Sequence, residues 1–244
     1  MRVLVGTSGY SYKEWKGSFY PRDLKPAEML RYYAARLKTV EINNTFYRMP
    51  SRKLLSGWAE QVPAGFSFAI KAPRRITHQK KLTDVGEETA TLAEVASELG
   101  DKLGPTLFQL PPWLRKDASL LEGFLSELPP GLRAAVEFRS STWYDETVYD
   151  LLRARDVALV LSDMDDKEEP ELLTTASHGY LRLRRSTYDE AALMRWADRV
   201  TEQSWDSAHV FFKHEDEGAA PRMAAEFTAT LRGGRGGISP DRTA

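Results

Sequence analysis

The chain of 244 residues contains no cysteine. That excludes disulfides, thiolate zinc sites, cysteine-ligated iron–sulfur clusters and a cysteine nucleophile. No apolar run approaches the ~20 residues that span a bilayer, so no membrane partner is expected. Lys and Arg total 34 against 35 Asp and Glu, a formal net charge of -1. Such a chain has no global attraction for nucleic acid or anionic lipid, and binding of either would need a local basic patch. There are 4 histidines, without a His-x-His or His-Glu-x-x-His pair, so no metal is expected. Met1-Arg2-Val3-Leu4-Val5 enters a strand at once, leaving no room for a signal peptide. The cytoplasm is the expected location.

What is present is a repeated alternation. Apolar, β-branched or aromatic runs occur at Val3–Gly6, Thr39–Asn43, Phe66–Ala72, Thr106–Leu110, Arg133–Arg139, Val157–Asp163, Gly179–Arg184 and His209–His214. Between them lie helical patterns: one opened by Pro26, then 87–99, Ser119–Leu128, Glu146–Ala154, Glu190–Val200 and Arg222–Leu231. Strands alternating with helices over this length predict an α/β fold, a single TIM-like (β/α)8 barrel with a closed parallel sheet and outer helices. An open doubly wound sheet is the alternative. Residues 1–231 form the expected domain, and 232–244 an expected flexible Gly-rich tail with two Arg-Gly-Gly units. Asp163–Glu171 reads as a solvated acidic connection.

In a barrel, one side of each strand meets apolar helices, so polar residues within strands are expected to face the interior. This parity sends Glu41, Asn43, Lys71, Gln109, Glu137, Arg139, Asp163, Arg182, Arg184 and Lys213 inward. Many of these sit late in their strands, at the carboxyl end where barrel sites form. Burying such charges is costly unless they pair or meet a ligand. Because the bases outnumber the acids, the pattern points to a concave mouth for an anionic phosphate- or carboxylate-bearing molecule. A self-neutralising network that fixes strand register is the plainer reading, with Lys71 expected to pair with Glu41.

Loop residues extend the mouth. His78 follows the third strand, and Tyr10, Tyr12, Trp15, Phe46, Tyr47, Trp113 and Trp143 are candidates for an aromatic wall or for plain packing. The first loop, Gly6-Thr7-Ser8-Gly9, fits either an anion cradle or a tight turn. His178 and His209 read as strand-end residues without a role.

Five ordered motifs carry a resemblance. They are Gly6-Thr-Ser-Gly-Tyr-Ser-Tyr-Lys-Glu-Trp-Lys-Gly-Ser-Phe-Tyr-Pro21, Val40-Glu-Ile-Asn-Asn-Thr-Phe-Tyr-Arg48, Phe68-Ala-Ile-Lys-Ala-Pro-Arg-Arg-Ile-Thr-His78, Leu107-Phe-Gln-Leu-Pro-Pro112 and Val136-Glu-Phe-Arg139. Together they resemble the domain-of-unknown-function 72 family (YecE-like) through nearly the whole chain. The resemblance implies a TIM-barrel fold and no established reaction, substrate or cofactor. Its polar motif positions fall on Glu41, Asn43, Lys71, His78, Gln109, Glu137 and Arg139. The chain departs from the family pattern at Ser140, at Arg184-Arg185, and at Lys213-His214, where the family tends to carry imidazoles and amides. These exchanges make this mouth more basic.

Three readings follow. In the first, an enzyme acts on an anionic substrate by acid/base chemistry, with Glu41, Glu137 and Lys71 catalytic. Asn43, His78, Gln109, Arg139, Arg182, Arg184, Trp143 and Tyr10 then bind substrate. In the second, the mouth is a non-catalytic module for nucleic acid or a nucleotide. In the third, the charges only satisfy one another.

Overall fold

The computed structural model describes residues 1–213 and 218–233. Nine parallel strands form one sheet: β1 (Arg2–Ser8), β2 (Thr39–Ile42), β3 (Ser67–Lys71), β4 (Leu103–Gln109), β5 (Ala134–Glu137), β6 (Ala158–Leu159), β7 (Leu161–Asp163), β8 (His178–Leu183) and β9 (Ser207–Phe212). The sheet order is β6-β5-β4-β3-β2-β1-β9-β8-β7. Its two end strands are halves of one stretch of chain divided at Val160, so the sheet comes round on itself and the expected sixth strand closes the barrel.

Outer helices are α1 (Met29–Ala34), α2 (Arg52–Gln61), α3 (Gly86–Ala96), α4 (Ala118–Ser126), α5 (Glu146–Arg153), α6 (Glu190–Thr201) and α7 (Ala219–Gly233). Four begin at residues with side chains built for capping. Ser51, Asp117, Asp145 and Asp189 each accept a hydrogen bond from the backbone N–H three residues on. Their apolar faces pack on the outward strand residues, Phe68, Phe108, Val136, Leu181 and Phe212 among them, to make the main core. A smaller cluster of Ala69, Leu107, Ala135, Val160, Tyr180 and Phe211 fills the barrel itself.

The expected helix-after-strand rule holds except once. After β7, residues 164–177 run without a helix, and Thr175 takes part of the missing place. Its hydroxyl donates to the Val157 carbonyl and accepts from the Leu159 N–H, both at 2.8 Å. α2 was absent from the sequence expectation; Gly57 interrupts its pattern, and only Leu55 and Trp58 of its residues are buried. α7 continues to Gly233, past the expected boundary at Leu231. The rest of the Gly-rich tail and His214 lie outside the described residues.

Two glycines of the first loop are explained by contact and conformation. A Cβ on Gly6 would lie 1.8 Å from the Thr39 carbonyl oxygen, so only glycine lets β1 approach β2 there. Gly9 has φ +90°, and its N–H donates to the Glu41 carbonyl at 2.8 Å.

Strand parity fails in the sixth strand. Ala158 and Val160 face the interior, while Leu161 joins the outer core and Asp163 lies on that same outward side. Leu159, Leu161 and Asp163 were expected inward. The run Ala-Leu-Val-Leu is apolar on both parities and carries no signal, so the single acid was assigned one residue out of phase. Asp163 is buried, with Arg185 Nε at 2.7 Å and the Tyr188 hydroxyl at 2.9 Å.

Candidate functional site

The carboxyl ends of the strands bring Glu41, Lys71, Gln109, Glu137, Arg139 and Arg182 together, as parity predicted. Arg182 is the hub. Its Nη2 lies 2.8 Å from Glu41 Oε1 and its Nη1 2.6 Å from Glu137 Oε2, with all three side chains buried. One guanidinium thus bridges two carboxylates, a geometry that suits its planar fork.

Each carboxylate accepts further hydrogen bonds. Glu41 Oε1 also accepts from Ser8 Oγ at 2.6 Å and Asn43 Nδ2 at 2.9 Å, and Oε2 accepts from the Tyr180 hydroxyl at 2.7 Å. Glu137 Oε2 accepts from Gln109 Nε2 at 2.7 Å. Arg139 Nε stands 2.8 Å from Glu137 Oε1, off the hydrogen-bonding direction, so this contact is a coulombic pair. Burial alone would raise the pKa of Glu41, but Arg182 and the three hydrogen-bond donors overcome it and hold the group at about 2. In Glu137 burial is likewise outweighed, by Arg182 and Arg139, and the pKa falls below the usual carboxylate value. Both acids are held ionised; both oxygens of Glu41 accept hydrogen bonds, whereas Glu137 Oε1 has only the ion pair with Arg139.

Lys71 is not paired with Glu41 as expected. Its Nζ donates to Gln109 Oε1 at 2.8 Å and lies 4.3 Å from the centre of the Phe46 ring. Burial, reinforced by Arg182 and only partly opposed by Glu41 and Glu137, brings its pKa down to about 8. That brings it much closer to neutrality than an ordinary lysine.

Arg184 also reaches the mouth. Its Nη1 is buried without a hydrogen-bond partner, and burial together with neighbouring Arg182 lowers its pKa. Arg185, the other departure from the family pattern, goes to Asp163 instead. Lys213 follows β9, its N–H donating to the Leu183 carbonyl at 3.2 Å.

His78 stands edge-on to Phe46, ring centroids 4.9 Å apart. Burial, Lys71 and Arg74 all lower its pKa. It lies in a π-helical turn, Arg75–Gln79, followed by Lys81, Leu82 and Asp84 at positive φ. Unusual backbone of this kind gathers at functional sites.

The aromatic candidates divide. Trp143 is fully buried, stacked on Phe138 at 4.8 Å with its Nε1 donating to the Leu114 carbonyl, and Trp15 is buried too. Tyr10 packs against Tyr33 and the main core, and burial raises its pKa. None of these three is brought to the charged cluster. Tyr47 and Trp113 are 77% and 55% exposed, and Lys81 Nζ sits 5.3 Å from the Trp113 ring centre. Sequence reasoning passed over Tyr180 and Ser162, and read Ser8 only as part of a tight turn or anion cradle. Parity alone would have found Tyr180, two residues before Arg182, had its aromatic ring not read as core.

Among the described residues no three His, Asp or Glu side chains converge as metal ligands would, and no helix is long and apolar enough to cross a membrane.

Fold and site together define a TIM-like barrel with a charged carboxyl-terminal mouth. The chain belongs to the family described as Protein of unknown function DUF72, whose model matches residues 4–243. A DUF72 family protein from Thermotoga maritima is similar at 28% identity and a TM-score of 0.80, over 95% of this chain and 100% of that one. A second, from Enterococcus faecalis, shares the fold at 18% identity and a TM-score of 0.78, over 98% of this chain and 97% of that one. Among curated proteins none matches.

Proposed function

We propose that the protein is an enzyme acting on an anionic substrate, bound at the carboxyl-terminal mouth of the barrel. The observation that carries this reading is the cation surplus left after internal pairing. Arg182 bridges Glu41 and Glu137, Arg139 adds a second cation to Glu137, and Arg184 Nη1 is buried with no acceptor. A purely self-neutralising network has no use for that last guanidinium. A phosphate or carboxylate between Arg139 and Arg184 supplies the missing charge.

In this reading Glu41 and Glu137 are not the general bases that the sequence suggested. Ionised and paired, they hold Arg182 in place. Lys71 takes the acid/base role, its amine kept largely dehydrated by Phe46 and oriented by Gln109. Asn43 and Tyr180 fix Glu41 from either side. His78, held neutral beside Lys71, borders the same end.

Thermal denaturation with inorganic phosphate and with small carboxylates tests the reading. The melting temperature is expected to rise with anion concentration, since a ligand of the native state stabilises by about 2.7 kcal/mol at a hundredfold excess over Kd. The rise should vanish in Arg184→Gln. Absence of a shift with every anion overturns the anion site.

A second reading has its own observation: exposed Tyr47 and Trp113, with Lys81 beside the latter, suit stacking on unpaired bases. Binding of a single-stranded oligonucleotide that weakens steeply with salt and is lost in Trp113→Ala would favour it.

A further inference from the structure

The division of the sixth strand opens the barrel wall beside the mouth. β6 pairs with β5 through Ala158 and Leu159, whereas β7 pairs with β8 through Leu161, Ser162 and Asp163. Below Val160 the gap between β6 and β8 is filled by Thr175. Above it, among the described residues, no ladder pairs β5 with β7, and Arg139 Nη1, 3.9 Å from Met164 Sδ, reaches across. The Phe138 carbonyl, where the ladder would continue, accepts instead from the Tyr144 hydroxyl at 3.2 Å.

In that opening lies a cavity of about 620 Å³, within the ~300–1,000 Å³ usual for small-molecule sites. Its lining is chiefly apolar, with Phe138, Leu161, Met164 and Leu172 prominent. Two polar groups connect it to the charged cluster. Arg139, already paired with Glu137, borders it, and Ser162 Oγ is buried there without a hydrogen-bond partner. Tyr180, whose hydroxyl binds Glu41, forms another part of the wall. The cavity and the anion site therefore share residues. The outer side is bordered by the helix-free segment after β7, which contributes Met164 and Leu172 together with Lys167, Glu168 and Glu171 at the rim.

We infer that the ligand is amphipathic: an oxyanion head held by Arg139 and Arg184, and an aryl or short alkyl arm lying through the β5–β7 gap into this cavity. Ser162 Oγ meets a polar atom where arm and head join. The inference rests on the anion site proposed above, and makes the cavity its specificity pocket. A fully polar anion would leave the apolar walls facing water, whereas the arm removes that surface from solvent.

Calorimetric titration of the full chain tests it with inorganic phosphate, ethyl, butyl and hexyl phosphate, and hexanol. Affinity is expected to rise about fourfold per methylene from ethyl to hexyl phosphate, the usual effect of burying a methylene. In Leu172→Trp, which fills the cavity from its outer wall, the rise should flatten while inorganic phosphate binds as before. Leu159→Trp fills it from the strand and serves if the first variant folds poorly. A matching series of butanoate, hexanoate and octanoate assigns the head group, and a slope in either series supports the proposal. A flat series with phosphate still bound overturns the cavity and leaves the anion site standing. Failure of every phosphate and carboxylate to bind overturns both. Hexanol binding as tightly as hexyl phosphate also overturns the proposal, because the arm would then bind without the mouth.

Discussion

The two ends of the barrel interior are both polar, and they satisfy that polarity in opposite ways. At the amino-terminal end His209 Nε2 lies 3.0 Å from Ser67 Oγ, and His178 Nε2 lies 3.2 Å from the Ala134 carbonyl. Gly104 makes room for the first pair: a Cβ there would fall 2.4 Å from Ser67 Oγ. Burial holds His209 neutral, its pKa down to about 3, and lowers His178 as well. The imidazole Nδ1 of each is buried without an acceptor, so a second proton would have nowhere to bond. This end is closed by neutral imidazoles, with Arg133 beside them donating to Ser207 Oγ at 3.4 Å. The carboxyl-terminal end keeps its charges, with two carboxylates and more cations than they neutralise. Neutral pairing is the less costly way to close a barrel, and the buried charge retained at the carboxyl-terminal end is what the proposed anion site rests on.

The largest expected effect comes from Arg182→Met. Removing the shared guanidinium leaves two buried carboxylates uncompensated, and a loss of about 3–5 kcal/mol in urea denaturation at pH 7 is expected. The pH dependence should also change sign. In the native chain Glu41 has a folded pKa of about 2, below its ordinary 4.5, so its stabilisation is present above 4.5 and is lost as pH falls towards 2. Without Arg182, burial and the second carboxylate raise both pKa values, and acidification should stabilise the variant. A loss under about 1 kcal/mol would mean that Arg139 and Arg184 neutralise the pair unaided.

At the other end, His209→Gln tests whether the imidazoles are neutral. The unfolded chain takes up a proton on His209 below its ordinary pKa of 6.5, while the folded chain resists until about 3. Native stability should therefore fall as pH drops through this window. From pH 6.5 to 4.5, before the carboxylates contribute, the variant should lose about 1 kcal/mol per pH unit of that slope. An unchanged slope would show that His209 is charged in the fold, and the contrast between the two ends would fail.

Much of this arrangement was readable from alternation. Glu41, Lys71, Gln109, Glu137 and Arg182 each sit between apolar neighbours on a strand whose outer face must meet helices. The polar exceptions therefore had only one direction to point. The same logic gave no purchase on Ala158–Leu161, which is apolar on both faces, and it misplaced Asp163, whose partners Arg185 and Tyr188 lie in the loop after β8. Nor could it choose partners. Whether Lys71 reaches Glu41 or Gln109 depends on barrel geometry and not on spacing in sequence. Trp143 and Trp113 have the same composition signal, and only the fold buries one and exposes the other. The cavity was invisible because it arises from a missing pairing between β5 and β7.

Lys71→Met is expected to have the smallest effect on stability and to sharpen the contrast most. A lysine whose folded pKa is about 8, below its ordinary 10.5, is a group the native state would rather hold neutral. The unfolded chain binds the proton more tightly, so the native chain is destabilised below about pH 8 and regains that stability as pH rises to 10.5. Replacing the amine with an apolar side chain of similar length removes the penalty. At pH 7 the variant should match or exceed the native chain by a few tenths to about 1 kcal/mol in urea denaturation, with the gap closing above pH 10. A stabilised protein that still binds phosphate would place Lys71 among residues kept for chemistry at the expense of the fold. A destabilised one would make Lys71 a structural member of the Gln109–Glu137–Arg182 network, and the charged mouth would then resemble the histidine end in being built to hold the barrel together.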